Sequence, residues 1–369
     1  MFHSRTWPQR HPSAGEPIVL RDYQVEVINQ FLQTPHCLQE IATGAGKTLV
    51  TAALSYMCEP YGRTIVIVPN KDLVTQTEAD YINLGLDVGV YFGDRKELGK
   101  THTICTWQSL NVLEKRFRDG LSDNGLHDFA EGVVCVMVDE VHQAKADVLK
   151  KLLTGAFSRI PIRWGLTGTI PKAEYERLSL EVSLGEVVNK LAANELQDIG
   201  VLANCDVNVL QLQESVSYGD YQSELTYLTT NKDRLDYMAS IIKRFSESGN
   251  TLVLVDRIKA GEGLLERLGE DTVFVSGSMK SKDRKSEYDE ISDTDNKIIV
   301  ATYGVAAVGI NIPRIFNLVL IEPGKSFVRV IQSIGRGIRR AQDKDHVQIW
   351  DITSSAKLFF ACFARFHWM

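Results

Sequence analysis

Ala42-Thr43-Gly44-Ala45-Gly46-Lys47-Thr48 is the stretch on which the reading of this chain turns. An apolar run, Cys37-Leu38-Gln39-Glu40-Ile41, leads into it as a strand, and Leu49-Val50-Thr51-Ala52-Ala53-Leu54 leaves it as a helix. The glycines let the backbone come close enough for its N–H groups to face phosphate oxygens, and the helix N-terminus adds partial positive charge. Thr43, Gly44, Ala45 and Gly46 then cradle the phosphates of a nucleotide. Lys47 meets the β- and γ-phosphates, and the Thr48 hydroxyl ligates Mg²⁺. One departure is plain: Ile41 stands where the general GxxxxGK[ST] pattern has its first glycine. The strand–loop–helix setting separates this stretch from an ordinary Gly-rich turn before a helix.

The bulk composition is that of a globular protein. The chain has 369 residues, enough for two or three domains, with 44% hydrophobic and 24% charged residues. No apolar run reaches the roughly 20 residues of a membrane span, and MFHSRTWPQRHPS lacks a secretory apolar core. A cytoplasmic location with no membrane partner is the expectation. The six cysteines are scattered without a CxxC pair, which argues against a zinc ribbon, an iron–sulfur cluster or a disulfide framework. A net charge of −6 does not suit a nucleic-acid binder as a whole, but binding needs only a local basic track. Lys and Arg cluster at Lys115-Arg116-Phe117-Arg118, from Lys280 to Lys285 and from Arg336 to Lys344, and each cluster also suits a solvated surface.

Short β-branched runs alternate with helical patterns along the chain, which signals parallel sheets wrapped by helices. The expected strands are Thr64–Pro69, His102–Trp107, Val133–Asp139 and Arg163–Thr169. Later in the chain come Thr251–Asp256, Thr272–Ser276, Lys297–Thr302, Asn317–Glu322 and Val347–Ile352. Between Leu202 and Gln222 the pattern breaks into a strand-like piece and a polar connector. The expected organisation is a loose tail over 1–17, an α/β domain over 18–205, a linker over 206–222 and a second α/β domain over 223–369. Only the first half carries the GKT loop. Two domains of this class make a cleft, where ligands sit.

Val133-Val134-Cys135-Val136-Met137-Val138 is fully apolar and ends in Asp139-Glu140-Val141-His142. Ligands of open α/β sheets bind at the carboxyl ends of strands, so both carboxylates arrive at the edge that carries Lys47. Asp139 suits the Mg²⁺ shell, and Glu140 suits positioning or deprotonating an attacking water. Arg163-Trp164-Gly165-Leu166-Thr167-Gly168-Thr169 ends in small hydroxyl residues in the same way. In the second half, Gln332-Ser333-Ile334-Gly335-Arg336-Gly337-Ile338-Arg339-Arg340 puts Arg336 and Arg339 on one helical face. Phosphoryl transfer needs cations against the departing phosphate, and a domain without its own phosphate loop is a natural donor. A basic surface helix is the alternative.

This ordered set resembles the superfamily 2 helicases and translocases over roughly residues 18–352. Leu20-Arg21-Asp22-Tyr23-Gln24 resembles the element whose glutamine reads adenine, and ATGAGKT resembles motif I. Ile67-Val68-Pro69-Asn70 with Leu73 and Gln76 resembles motif Ia, and Thr106-Trp107-Gln108-Ser109 motif Ib. DEVH resembles motif II, and Thr167-Gly168-Thr169 motif III. Leu252-Val253-Leu254-Val255-Asp256 falls at motif IV. Ala301-Thr302-Tyr303-Gly304 with Gly309-Ile310-Asn311 resembles motif V, and QSIGRGIRR motif VI. EIATGAGKT, TWQSL and the segment Leu184-Gly185-Glu186 to Leu202 are most similar to the branch of restriction-enzyme motor subunits, XPB-like helicases and phage recombination helicases. The chain lacks the DEAD, SAT and HRIGRTGR forms usual in the RNA branch. Val141 in DEVH and Asn311, where aspartate is common, depart from the family pattern.

The resemblance implies two tandem RecA-like domains with an ATP cleft between them, and ATP and Mg²⁺ as cofactors. It implies nucleotide contacts by Arg21, Gln24 and Gly309, and catalysis by Lys47, Asp139, Glu140, Gln332, Arg336 and Arg339. It places a nucleic-acid strand on Pro69, Asn70, Thr106, Trp107, Gln108, Ser109, Asp256, Thr302 and Tyr303. Single-stranded, forked or branched DNA is the expected partner ahead of RNA, with 3′→5′ movement and a monomer as a workable unit. Trp107 suits either base stacking or the core. Three functions fit: a DNA helicase or branch-remodelling motor, a duplex translocase subunit of a restriction-type complex, and a nucleotide-dependent ATPase without a nucleic-acid role. The aromatic run from Leu358 to Trp368 reads as packing onto the second domain, or else as a partner surface.

Overall fold

The computed structural model describes residues 6–7, 18–143, 146–214, 216, 218–277, 279, 294–309, 312, 314–321 and 343–355. The chain divides into two compact units, Met1–Ala192 and Ala193–Met369.

In the first unit the strands are β1 His36–Ile41, β2 Arg63–Val68, β3 Val88–Phe92, β4 Arg95–Lys96, β5 His102–Thr106, β6 Val133–Val138, β7 Ile162–Thr167 and β8 Val187–Leu191. They form one sheet in the order β8-β1-β7-β6-β2-β5-β3-β4, parallel throughout except for the β3–β4 hairpin. Helices α1 (Asp22–Gln33), α2 (Lys47–Cys58), α3 (Lys71–Asn83) and α4 (Trp107–Arg118) connect or flank them. Continuous apolar runs such as β2 and β6 arise because a parallel sheet is covered on both faces. Leu38, Ile65, Ile67, Val136 and Val138 are all buried with Leu110, Leu153, Phe157 and Leu184 in a single cluster. Each such side chain contributes about 1.5–3 kcal/mol relative to an exposed position. This packing holds the loops at the carboxyl ends of β1, β2, β5, β6 and β7 on one edge.

The second unit has a six-stranded sheet in which every pairing is parallel. Its strands are β9 Asn204–Leu212, β10 Thr251–Val255, β11 Val273–Val275, β12 Ile298–Thr302, β13 Asn317–Ile321 and β14 His346–Ser354, in the order β9-β14-β13-β10-β12-β11. Helices α5 (Tyr221–Thr230), α6 (Lys232–Ser246), α7 (Ile258–Leu268) and α8 (Tyr303–Gly309) belong to it. Phe245 of α6 stacks on Trp350 of β14, ring centroids 4.0 Å apart and 9° from parallel.

Two expectations about organisation are corrected here. Residues 206–222 are not a free linker. Their first part belongs to β9, which pairs with β14 along its whole length, and the compact units part earlier, after Ala192. Burial along β9 is incomplete because it is an edge strand, so its apolar alternation is weak in the sequence. The tail over 1–17 is not wholly loose either, since Thr6–Trp7 pairs antiparallel with Ile18–Val19. Strands β3, β4 and β8 were not among the expected strands. The aromatic run from Leu358 to Trp368 lies outside the described residues.

Candidate functional site

The phosphate loop closes β1 and opens α2. Gly46, the N-cap, lies at φ 80°, ψ 41°, and Gly44 lies at φ 91°, both left-handed positions that suit glycine. A Cβ at Gly46 would also lie 2.7 Å from Gln24 Nε2. Thr43 is buried, Ala45 is buried, and Thr48 is half-buried in the first turn of α2.

Gln24 is fixed from both sides of its amide. Its Oε1 accepts from the Arg21 backbone N–H at 2.9 Å, and its Nε2 donates to the Ala45 carbonyl at 3.1 Å. The amide retains capacity for one more donated and one more accepted hydrogen bond, the pair that a base edge needs. Tyr23 donates its hydroxyl to the same Ala45 carbonyl at 2.9 Å. Tyr23 is not among the contacts that the family resemblance implies. Its position beside Gln24 in LRDYQ was the available signal.

Lys47 and Glu140 meet at this edge. Their side chains are 8% and 7% exposed, with Lys47 Nζ 3.2 Å from Glu140 Oε1. Nζ also donates to the Ile41 carbonyl at 3.4 Å. Glu140 sits at φ 50°, an uncommon left-handed position for a non-glycine residue, which turns its carboxylate into the site rather than along the strand. Glu140 Oε2 accepts from the Gly168 N–H at 3.4 Å and lies 3.6 Å from His142 Nδ1. His142 Nδ1 in turn meets Thr167 Oγ1 at 2.6 Å, and Thr167 Oγ1 donates to the Thr169 carbonyl at 2.9 Å. Motifs I, II and III are thereby joined by hydrogen bonds and an ion pair. A Cβ at Gly168 would lie 2.9 Å from Thr43 Oγ1, so the third loop presses against the first.

Asp139, half-buried at the end of β6, accepts from the Glu140 N–H at 2.9 Å. Among the described residues no group of three or more His, Cys, Asp or Glu side chains makes a self-sufficient metal cage. The Thr48 hydroxyl, in the first turn of α2, and the Asp139 carboxylate, just after β6, are oxygen donors at one edge. Such a sparse set fits Mg²⁺, which draws most of its ligands from water and substrate phosphates.

The expected nucleic-acid residues of the first unit occupy the same edge. Asn70 caps α3 through Oδ1, which accepts from the Leu73 N–H at 3.0 Å. Thr106 caps α4, accepting from the Ser109 N–H at 3.2 Å, and its hydroxyl shares a 2.9 Å hydrogen bond with that of Ser109. Gln108 donates to the Pro69 carbonyl at 3.0 Å and so ties the two loops together. Trp107 packs against the hydrophobic core, in agreement with the core alternative for that residue. The basic cluster Lys115-Arg116-Phe117-Arg118 lies at the other end of α4, roughly 15 Å along the helix from this edge.

Other positions fare differently. Asp256 ends β10, with its Oδ2 3.4 Å from Arg257 Nε, and Thr302 ends β12 half-buried. Tyr303 is 1% exposed with its hydroxyl 3.4 Å from the Ile321 carbonyl, so its side chain is a core element and not a contact for a strand. The sequence pattern placed it beside Thr302 correctly, but burial decides its role. Gly309 ends α8. Gln332, Arg336, Arg339 and Asn311 lie outside the described residues, as do the basic residues from Lys280 to Lys285. The described cysteines are free, and Cys37, Cys58, Cys105 and Cys135 are buried. Burial pushes the Cys37 thiol up to about 12, which makes it inert at neutral pH. No described helix is long and apolar enough to cross a membrane.

The chain is similar to known proteins along most of its length. Residues 17–172 match the family described as Type III restriction enzyme, res subunit, and residues 233–341 match the helicase conserved C-terminal domain. The ATP-dependent DNA helicase uvsW of Enterobacteria phage T4 is 24% identical over 90% of this chain and 68% of its own length. The DNA 3'-5' helicase XPB of Kineococcus radiotolerans is 23% identical over 91% of this chain and 60% of its own length. The chain spans between about half and two thirds of such curated relatives. Saccharomyces cerevisiae Dbp5 bound to RNA and ADP BeF3 superposes with a TM-score of 0.65 over 98% of this chain and 93% of that one, at 14% identity, which shows the shared fold. Both domain matches fall in tandem on the motifs and together cover most of the sequence. With the two domain families in tandem along its two α/β units, the chain is a superfamily 2 helicase related to the restriction-motor and XPB branches.

Proposed function

We propose that this chain is an ATP-driven motor that moves on DNA and remodels single-stranded, forked or branched DNA, in recombination, repair or replication. The Lys47–Glu140 contact at 3.2 Å, on the edge that also carries the Asn70 and Thr106 caps, is the observation that supports it most directly. Lys47 supplies the cation for the β- and γ-phosphates, and its ion pair with Glu140 opens as the phosphate takes its place. Glu140, held through Oε2 by the Gly168 N–H, orients the attacking water and accepts its proton. Thr48 and Asp139 would hold Mg²⁺, which would supply positive charge against the phosphate oxygens. Gln24, with Arg21 as its backbone partner, reads adenine. By resemblance, Gln332, Arg336, Arg339 and Gly309 are the second half's candidate contacts to nucleotide.

Force reaches the strand through the loops that follow β2 and β5. Pro69, Asn70, Thr106, Gln108 and Ser109 grip phosphates through backbone amides and hydroxyls, which need no positive net charge and read no sequence. Asp256 and Thr302 take the corresponding place in the second unit. Movement is 3′→5′, and a monomer suffices.

The match of residues 17–172 to a restriction-enzyme subunit favours one other reading, a translocase that pumps duplex without separating it. A single set of assays tests both. ATP turnover is measured with single-stranded, duplex, forked and RNA ligands, using Lys47→Ala as the inactive control. Stimulation by forked or single-stranded DNA with strand separation supports the motor. Duplex stimulation with triplex displacement and no unwinding supports the pump. Turnover unaffected by any nucleic acid overturns both.

A further inference from the structure

The second unit carries a hollow of about 430 Å³ walled by Tyr218, Tyr227, Gln222, Thr226 and Asn231. Its place follows from the topology. The strand β9 runs parallel to β14, and β14 belongs to the parallel set that includes β10 and β12. The chain therefore leaves Leu212 on the edge where Asp256 and Thr302 end their strands. Residues between Tyr218 and Asn231 line this hollow before α6 turns back along the sheet.

One wall is anchored from behind. Glu214, two residues beyond β9, makes a buried ion pair with Arg234 in the first turn of α6, at 2.5 Å, with side chains 8% and 3% exposed. Tyr227 donates its hydroxyl to the other oxygen of Glu214 at 3.0 Å. Burial, and then the neighbouring Glu214 carboxylate, push the Tyr227 hydroxyl above its ordinary range, so it stays a donor. The Tyr218 ring lies 5.4 Å from that of Tyr227, tilted by 39°. The Thr226 hydroxyl is spent on the Gln222 carbonyl, and Asn231 Oδ1 caps α6. What faces outward is aromatic surface and amide, with no Lys or Arg among the lining residues.

We propose that this hollow is an accessory seat for an unpaired nucleotide of the DNA strand, whose base stacks on Tyr218 beside the fixed Tyr227 ring. The proposal rests on the DNA-motor reading above. Every base has a π-face, so an aromatic platform holds a strand without reading sequence, and it does so without the cations that the acidic chain lacks here. Glu214 anchors Tyr227, so the ring that backs Tyr218 loses little freedom on binding.

The test compares affinity for oligo-dT with that for an abasic strand of equal length, which keeps the phosphates and lacks the bases. Tyr218→Ala should weaken oligo-dT binding roughly tenfold, leave abasic binding unchanged and leave the salt slope unchanged. Tyr218→Trp should restore oligo-dT affinity, which a merely structural defect would not allow. Equal losses on both strands, a reduced salt slope, or wild-type affinity in Tyr218→Ala would overturn the seat while leaving the motor intact. A wild type that binds neither strand and whose ATP turnover ignores DNA would overturn the motor reading itself, and the seat with it.

Discussion

The two units carry the same kind of parallel sheet, yet their carboxyl edges differ in chemistry. In the first, glycines at left-handed positions bring backbone N–H groups forward, and Lys47 and Glu140 are buried as a charged pair. In the second, the matching edge presents Asp256, Thr302 and a tyrosine-walled hollow, and Tyr303 turns inward. A parallel sheet provides an edge where loops converge, and the loops alone decide what that edge can bind. Buried charge alone does not separate them, since Glu214–Arg234 in the second unit is as buried as Lys47–Glu140. The first edge differs in setting its lysine–carboxylate pair beside left-handed glycines whose N–H groups would face a ligand.

The widest test of this contrast lies in residues of the second half. If Arg336 and Arg339 act on nucleotide, alanine at either position should lower ATP turnover by about 10³–10⁵-fold while ATP binding largely survives. Turnover measured against DNA concentration separates a lowered plateau from a shifted midpoint. A shifted midpoint with an intact plateau would make them DNA contacts and confine ATP chemistry to the first unit.

Next in size is Glu140→Gln, which should keep ATP and Mg²⁺ binding and lose about 10²–10⁴-fold in turnover, since an amide cannot accept the proton. Nucleotide affinity falling as far as the rate would recast Glu140 as a binding residue. Gln24→Ala should raise the KM for ATP by roughly tenfold and erode preference over GTP, the value of one base-edge hydrogen-bond pair. Equal use of ATP and GTP by the wild type would already exclude that role. The smallest effect belongs to Tyr303→Phe. Losing a long buried hydrogen bond to Ile321 should cost about 1 kcal/mol in unfolding free energy and leave DNA affinity alone. A change in DNA affinity at unchanged stability would return Tyr303 to the strand path.

Much of the first unit was legible because local chemistry and global architecture agree there. A run such as Val133–Val138 fits a buried strand and glycines before Lys47 suit a tight approach, so order and spacing pointed to the candidate nucleotide site. The extents of β2, β5, β6, β7, β10, β12 and β13 follow from the same β-branched runs to within a residue or two. The edge strand β9 reads in the sequence only as a strand-like piece, and the hairpin strand β4 not at all, since exposed strands carry little periodic signal.

Pairings across long stretches of chain lay beyond any pattern in the residues. The alignment of β9 with a strand some 140 residues later moved the unit boundary to Ala192, and the Glu214–Arg234 pair that shapes the tyrosine hollow depends on that alignment. Composition and motif named the residue types available for catalysis. Burial and positive φ at Glu140, the hydrogen bonds that bind Gln24 to Ala45 and the inward turn of Tyr303 came from packing, because a side chain's neighbours in space are set by the whole fold and its neighbours in sequence are not.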